Sequence, residues 1–248
     1  MKAFLALWRR ELSSYFVSPI GYVVLIFFLV FNGISFSFLV DILSQDEGAM
    51  KIINHLFSWI FFWIAMMITV PVITMRLFAE EKRSGTIETL MTAPVTDAAV
   101  VMSKFAGAMT FFIIMWLPTL VYAHLLQRFS SILTTIDLRP MFAGYLGVCL
   151  LGSFYVSIGL LASSLTRNQI VAAIASFGLI CVAFFAGFLP HLSSAGSHQE
   201  LEAYISSIDH MRQFSIGMVD TRPIVLYITG TALMLFATVR VVEARKWK

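Results

Sequence analysis

Six long stretches almost free of Asp, Glu, Lys and Arg constrain this chain more than any other feature. They predict membrane spans at about 19–40, 56–75, 105–127, 141–164, 168–190 and 223–240. A helix needs about 20 mostly apolar residues to cross the hydrocarbon core of a bilayer. A β-barrel would instead show shorter segments of alternating polarity. The sequence therefore predicts an all-α, polytopic membrane protein with six transmembrane helices, built as a single membrane domain over residues 1–248.

Composition excludes the main classes of soluble protein. Hydrophobic residues make up 59% of the chain and charged residues only 12%, whereas about a quarter of an average soluble domain is charged. So few charges cannot cover the surface of a soluble fold of this size. The composition excludes a soluble enzyme, a disordered chain and a nucleic-acid binder, and it makes membrane lipid the expected surroundings.

No catalytic pattern is present. The predicted spans contain no Asp or Glu, so a proton relay or ion-coupled carrier has no carboxylate to use. The chain also lacks the phosphate-binding, zinc-protease and nucleophile-elbow motifs. We expect a non-catalytic protein with no catalytic residues, no metal site and no bound cofactor of its own.

Basic residues predict the orientation. With six spans both termini lie on one side, and that side collects 12 of the 17 Lys and Arg residues. Cytoplasmic loops carry the excess of Lys and Arg. The sequence therefore predicts that both termini are cytoplasmic.

The segment before the first span has helical spacing of its own. Leu5, Trp8, Leu12 and Phe16 follow one stripe, and the charged residues 9–11 lie largely off it. This pattern predicts an interfacial amphipathic helix over residues 1–18 on the cytoplasmic leaflet. The alternative is a plain extension of the first span.

The external segment between the fifth and sixth spans is predicted to contain a short outer helix. Ser197 and Glu200 form a capping-box pattern. The apolar face that follows consists of Leu201, Tyr204, Ile205, Ile208 and Met211. Three histidines also lie there, His191, His198 and His210, but their irregular spacing favours surface histidines over a metal site.

The loop between the second and third spans is the largest one on the cytoplasmic side. Its charges lie just beyond the second span, and Ser84–Gly85 is expected to end the helix. Short turns over 86–92 would project an apolar knob before Pro94, and Thr96 or Asp97 would cap the third span. Such a knob, ringed by charge, suits a groove on a cytoplasmic partner. The alternative is a solvated helical hairpin without a partner.

This loop, EEKRSGTIETLMTAPVTD, resembles the signature loop of ABC-2 type transporter permeases. The opening WRRELSSYFVSPIGYVV, the later segment DHMRQFSIGMVDTRPIVLYI and the ending VRVVEARKW resemble the gliding-motility-type (Gld-like) branch of that family. The resemblance extends over the whole chain, although the chain carries neither a fused ATPase nor a large outer domain.

The resemblance implies the permease subunit of an ATP-binding-cassette exporter in the bacterial inner membrane. ATP and Mg²⁺ would be bound by separate ATPase subunits. The other permease half would be an identical chain or a membrane protein with a large extracytoplasmic domain. The coupling helix, at about 84–92, would take up the motion of the ATPase. The implied ATPase contacts are Glu80, Glu81, Arg83, Ser84, Gly85, Thr86, Glu88, Leu90, Met91 and Pro94, with a second contact at Arg167 and Asn168.

The fifth span contains candidates for the translocation path or a dimer seam. They are Phe177, Phe184 and Phe185, with the small residues Ala183 and Gly187. Small residues four apart let helices approach closely, and ordinary packing within the chain explains them equally well. Two other functions stay open: the permease of a periplasmic copper-site maturation system, and a channel or carrier that works without ATP.

Overall fold

The computed structural model describes residues 2–44, 56–86, 95–129, 139–187 and 204–244. All regular secondary structure in these ranges is helical, and a 3₁₀ turn at Leu117–Thr119 joins α5 to α6. The helices are α1 (Lys2–Val17), α2 (Pro19–Ser44), α3 (Ile60–Thr74), α4 (Ala79–Ser84), α5 (Asp97–Trp116), α6 (Leu120–Phe129), α7 (Arg139–Leu165), α8 (Gln169–Phe185), α9 (Ser207–Ser215) and α10 (Thr221–Glu243).

Within the described ranges, five segments are long and apolar enough to cross a membrane. They are Pro19–Asp41, Ile60–Ser84, Asp97–Tyr122, Arg139–Leu165 and Thr221–Glu243. The helix α8, predicted as the fifth span, is apolar but has only 17 residues. At 1.5 Å per residue it measures about 25 Å, short of the roughly 30 Å hydrocarbon core. The helical membrane fold is confirmed, whereas the count of six spans stays a prediction.

Capping residues place two span boundaries outside the apolar runs. α5 begins at Asp97, not 105, because the Thr96 hydroxyl accepts a hydrogen bond from the Ala99 N–H at 3.3 Å. The cap predicted at Thr96 is therefore confirmed. α10 runs from Thr221 to Glu243, beyond the predicted 223–240 at both ends, and its earlier start follows from the cap by the Asp220 carboxylate. Apolar content alone misses such polar first turns.

The helix α7 lies at the centre of the bundle. It packs against α3, α8, α9 and α10, and its buried side chains include Leu151 and Tyr155. Gly159 permits the closest approach, because a Cβ there would overlap the Thr74 hydroxyl of α3. By contrast, α2 and α10 keep most of their apolar surface exposed, as lipid-facing helices do.

The outer helix differs from its predicted form. α9 begins at Ser207, where the Ser206 hydroxyl accepts from the Asp209 N–H at 3.3 Å. Its buried face includes Met211 and Phe214, which pack against α7, whereas Tyr204 and Ile205 are exposed. The predicted stripe is therefore right at Ile208 and Met211 and wrong at those two positions, because the helix is interrupted at Ser206. The predicted residues Ser197, Glu200 and Leu201 lie outside the described residues.

Candidate functional site

One buried serine of α7 holds the turn between α3 and α4. Ser163 Oγ accepts hydrogen bonds from the backbone N–H groups of Phe78 and Ala79, both at 3.1 Å. The same hydroxyl donates to the carbonyl of Met75 at 3.0 Å. The first N–H groups of a helix have no intrahelical acceptor, so this side chain satisfies the start of α4. The direction of α4 is thereby fixed relative to the end of α7.

A buried lysine forms a second tie between α4 and α7. Lys82 Nζ donates to the backbone carbonyl of Ser164, in the last turn of α7. The last carbonyls of a helix lack intrahelical donors and carry partial negative charge, which an ammonium group stabilises. Only 6% of Lys82 is exposed, although it lies in a run of four charged residues. The charge of Lys82 therefore stabilises the packing of α4 on α7.

Four charged side chains from three helices form a compact group, here called the ion cluster: Arg10, Glu11, Glu81 and Lys104. Lys104 Nζ lies 3.0 Å from Glu11 Oε1 and 2.9 Å from Glu81 Oε1. Arg10 Nη2 lies 3.1 Å and 2.6 Å from the same two oxygens. Two cations and two carboxylates balance in charge, which a buried group requires.

The ion cluster ties the N-terminal helix to the loop that resembles the permease signature. The Lys104 side chain is 2% exposed and that of Glu11 is 9% exposed, while that of Arg10 is 54% exposed. α1, α4 and α5 therefore meet through side chains that are costly to separate. We expect these three helices to move as one unit when α4 is displaced.

The helix α1 is confirmed, but its buried face is rotated from the predicted stripe. Leu5 and Phe16 are exposed, and Glu11 is buried. Trp8 Nε1 donates to Thr110 Oγ1 of α5 at 3.1 Å. Because α1 packs along α5, part of its polar side becomes the inner face. The exposed apolar residues remain available to lipid, and the position of α1 on the cytoplasmic leaflet stays a prediction.

Tyr15 continues the contact between α1 and the bundle. Its ring stacks on Phe111 of α5 with centroids 4.6 Å apart. Its hydroxyl donates to the carbonyl of Ile73 at 3.0 Å. Burial, together with the charge of Glu11, raises the pKa of Tyr15 well above its usual value. The phenol therefore stays neutral and keeps its role as a donor.

Arg76 connects two chain segments that are distant in sequence. Its Nη1 donates to Ser18 Oγ at 3.0 Å, at the junction of α1 and α2. Its Nε donates to Gln169 Oε1 at 3.3 Å, at the start of α8. Since Gln169 adjoins the predicted second ATPase contact, Arg76 links that contact to the N-terminal helix.

The end of α4 is exposed, unlike the buried hydrogen bonds and ion pairs that hold its start. Arg83, Ser84, Gly85 and Thr86 are all exposed. Gly85 has φ +75°, which ends α4 in the left-handed conformation that glycine adopts without strain. The predicted helix break at Ser84–Gly85 is therefore confirmed. The predicted contacts Glu88, Leu90, Met91 and Pro94 lie outside the described residues.

One residue of the first predicted ATPase contact, Arg83, lies at the same cleft as the second predicted contact. Arg83 lines a cleft of ≈ 410 Å³ with Arg167, Asn168, Gln169 and Ile170. Asn168 caps α8, since its side-chain oxygen accepts from the Ile170 N–H at 2.9 Å. Arg83 and Arg167 are both exposed, so the cleft presents two cations at the surface. It can bind a carboxylate or another anionic group.

The two predicted glutamates of the loop have different surroundings. Glu80 is exposed, whereas the Glu81 side chain is only 13% exposed and belongs to the ion cluster. Sequence reasoning placed both in one charged rim. It missed the roles of Glu11, Lys104 and Ser163, because Glu11 and Lys104 lie 93 residues apart and Ser163 lies 85 residues from Phe78. One signal existed: Glu11 lies three residues after Trp8 and four before Tyr15, on their helical face.

The candidates for the path or seam on α8 separate into exposed and buried residues. Phe177 and Phe185 are exposed, and Ala183 is half-buried. Phe184 is buried against Trp63 of α3, with centroids 4.9 Å apart.

Gly187 has a packing role within the chain. It is buried, and a Cβ on it would lie 2.8 Å from Ser206 Cα. A contact of Gly187 with Ser206 thus accounts for this small residue, while a path or seam on α8 stays a prediction.

His210 was predicted to be a surface histidine, and this prediction is wrong, because the side chain packs within the fold. His210 is fully buried, and its Nδ1 lies 3.1 Å from the Tyr227 hydroxyl. No group of three potential metal ligands occurs among the described residues. His191 and His198 lie outside them.

The fold and the site together define a polytopic helical membrane protein with a structured polar face at one end of its bundle. The model of the family described as "ABC-2 family transporter protein" matches residues 22–242. The chain belongs to this family, and so is a membrane component of ABC transporters. A search of curated proteins found no match to it.

Proposed function

We propose that this chain is the permease subunit of an ATP-driven exporter, in which a separate ATPase subunit supplies the energy. The family match supports an ABC transporter permease. The observation that carries the rest is the cleft shared by Arg83 and Arg167. One surface there includes the end of α4 and the turn before α8, the two places where the resemblance to ABC-2 permeases implies ATPase contacts.

The buried contacts that hold α4 would let this surface transmit motion of the ATPase to the rest of the bundle. A chain without its own energy source moves only when a partner that changes state contacts it differently in each state. Ser163 and Lys82 hold α4 on the end of α7, and the ion cluster joins α4 to α1 and α5. A push on α4 would therefore reach the central helix and the N-terminal helix together, as a rigid-body displacement.

The cleft also defines the chemistry of the ATPase surface that it fits. Arg83 and Arg167 are exposed cations that line one cavity. An acidic side chain of the ATPase would neutralise both, with planar hydrogen bonds from a guanidinium group. We propose that a carboxylate of the ATPase enters this cleft, and that the apolar knob predicted from the sequence at Leu90 and Met91 occupies a groove on the same subunit.

The finer assignments rest on sequence resemblance. We propose the gliding-motility-type branch, a permease dimer, a cytoplasmic position for both termini and the inner membrane of a bacterium. The alternative of a copper-site maturation permease gains no support from His210, because its ring is hydrogen-bonded to the Tyr227 hydroxyl.

The experiment is affinity purification of the full chain with its ATPase in mild detergent. The measured quantity is ATP hydrolysis by the ATPase that is recovered with the chain. We expect Arg83→Glu with Arg167→Glu to lower the recovered ATPase activity about tenfold, because two charge-assisted contacts become repulsive. Arg222→Glu is the matched control, since Arg222 is exposed at the start of α10 and outside the cleft.

The two outcomes are distinct. Equal loss in the control would point to a general effect of an added carboxylate. Full recovery of ATPase activity with the double reversal would show that the cleft is not the contact.

A further inference from the structure

A second cavity lies against the N-terminal helix, and all four side chains of the ion cluster contribute to its wall. Its volume is ≈ 240 Å³, and it is bounded by α1, the start of α2, the end of α3, α4 and α5. Here it is called the α1 cavity. Its polar wall includes Ser14, Ser18, Arg76 and Glu80. Its apolar wall includes Ile20, Val24 and Val72. The cavity is therefore amphipathic.

The charges on its wall leave one cation and one anion without a charged partner. Within the ion cluster, two cations and two carboxylates pair with each other. Arg76 hydrogen-bonds only the neutral groups of Ser18 and Gln169 among the described residues. Glu80 is exposed and makes no ion pair with any residue that the structure describes. A ligand that complements both groups carries a negative and a positive charge.

The position of the α1 cavity identifies where such a ligand comes from. Ile20 and Val24 belong to the first turns of a membrane-spanning helix, and Val72 to the last turns of another. The cavity thus lies where the hydrocarbon core ends and lipid head groups begin. Val17 and Val23, which adjoin the lining residues Ser18 and Val24 in sequence, are 82% and 64% exposed and can contact acyl chains.

We propose that the α1 cavity binds the head group of a zwitterionic phospholipid with a primary amine, that is, phosphoethanolamine. The phosphate would accept hydrogen bonds from Arg76 and from the Ser18 hydroxyl. The ammonium group would donate to the Glu80 carboxylate. The acyl chains would lie along the exposed face of α2.

Hydrogen-bonding chemistry selects this head group over two other common ones. An ammonium group has three N–H donors for a carboxylate, whereas the quaternary nitrogen of phosphocholine has none. Quaternary nitrogen is bound by open aromatic faces, but Tyr15 and Phe111 at the cavity stack on each other. Phosphatidylglycerol supplies a phosphate but no cation for Glu80.

The test is native mass spectrometry of the purified full chain with added lipid. The probes are phosphatidylethanolamine, phosphatidylcholine and phosphatidylglycerol of matched acyl chains, and soluble phosphoethanolamine. We expect phosphatidylethanolamine to bind about tenfold more tightly than either other lipid, as one charge-assisted hydrogen bond allows. No ATPase is present, so the result does not depend on the proposed exporter function.

Two substitutions separate the two charges. Arg76→Gln should weaken all three lipids, because each has a phosphate. Glu80→Gln should remove the preference for phosphatidylethanolamine and leave phosphatidylglycerol binding unchanged. Arg240→Gln and Glu243→Gln are the matched controls, because this exposed pair lies at the end of α10 and outside the cavity.

Several results would overturn the proposal. They are equal binding of phosphatidylethanolamine and phosphatidylcholine, an unchanged preference in Glu80→Gln, and binding of soluble phosphoethanolamine as tight as that of phosphatidylethanolamine. If Arg76→Gln does not fold, Arg76→Lys keeps the charge. Arg76→Lys should then retain the preference for phosphatidylethanolamine, and loss of that preference would count against the proposal.

Discussion

The ion cluster predicts that Lys104 is among the most sensitive charged positions of the chain. Lys104→Met keeps the length of the side chain and removes its charge. Glu11 and Glu81 would then share one cation, Arg10, which is 54% exposed. Removing one partner of a buried ion pair costs about 3–5 kcal/mol. Because Arg10 still contacts both carboxylates, we expect the lower end, about 3 kcal/mol.

The matched control is Arg10→Met, which removes the other cation of the ion cluster. Its exposed guanidinium is screened by solvent, so the expected loss is about 0.5 kcal/mol. The assay is unfolding by SDS titration in mixed micelles, followed by the fluorescence of the five tryptophans. The difference between Lys104→Met and Arg10→Met is the measured quantity.

A double variant tests whether charge balance is the cause. Lys104→Met with Glu81→Gln leaves one cation, Arg10, and one carboxylate, Glu11, at 3.1 Å. The double variant should regain most of the stability that Lys104→Met loses. If the two single losses simply add, or if Lys104→Met is no worse than Arg10→Met, the electrostatic account of the ion cluster is refuted.

Two further predictions concern packing and orientation. Gly159→Ala should destabilise the chain by about 1–3 kcal/mol, because the new Cβ would overlap Thr74. Gly178→Ala, where a Cβ meets nothing within 4 Å, should not destabilise it in the same SDS titration, and equal losses would contradict this packing. A reporter fused after Lys248 should be active in the cytoplasm, and activity outside would contradict the topology derived from the basic residues.

Features that depend on neighbouring residues were predictable from the sequence. The apolar runs predict the helical membrane fold, Ser84–Gly85 predicts the end of α4, and Thr96 predicts the start of α5. Each of these follows from periodicity, glycine conformation or capping within a few residues. The loop that resembles the permease signature was likewise recognisable before any contact was known.

Features that depend on how helices pack were not predictable. Glu11 became buried because α1 turns one polar side toward α5, where Lys104 lies 93 residues later. Lys82 lies in a run of charged residues that suggests a solvated surface, yet its ammonium group donates to a backbone carbonyl at the end of α7. A single sequence shows neither pairing, because the charge of a residue does not indicate which helix lies opposite.

The most direct test of the central claim is co-purification of the ATPase with a variant of the predicted knob. Leu90→Asp with Met91→Asp would place two charges in the apolar groove that we propose on the ATPase. Truncating an interface anchor costs about 2 kcal/mol or more, which is a roughly 30-fold loss of affinity. We expect normal membrane insertion of the double variant and loss of the ATPase from the purified complex. Retention of the ATPase at the wild-type level would contradict it.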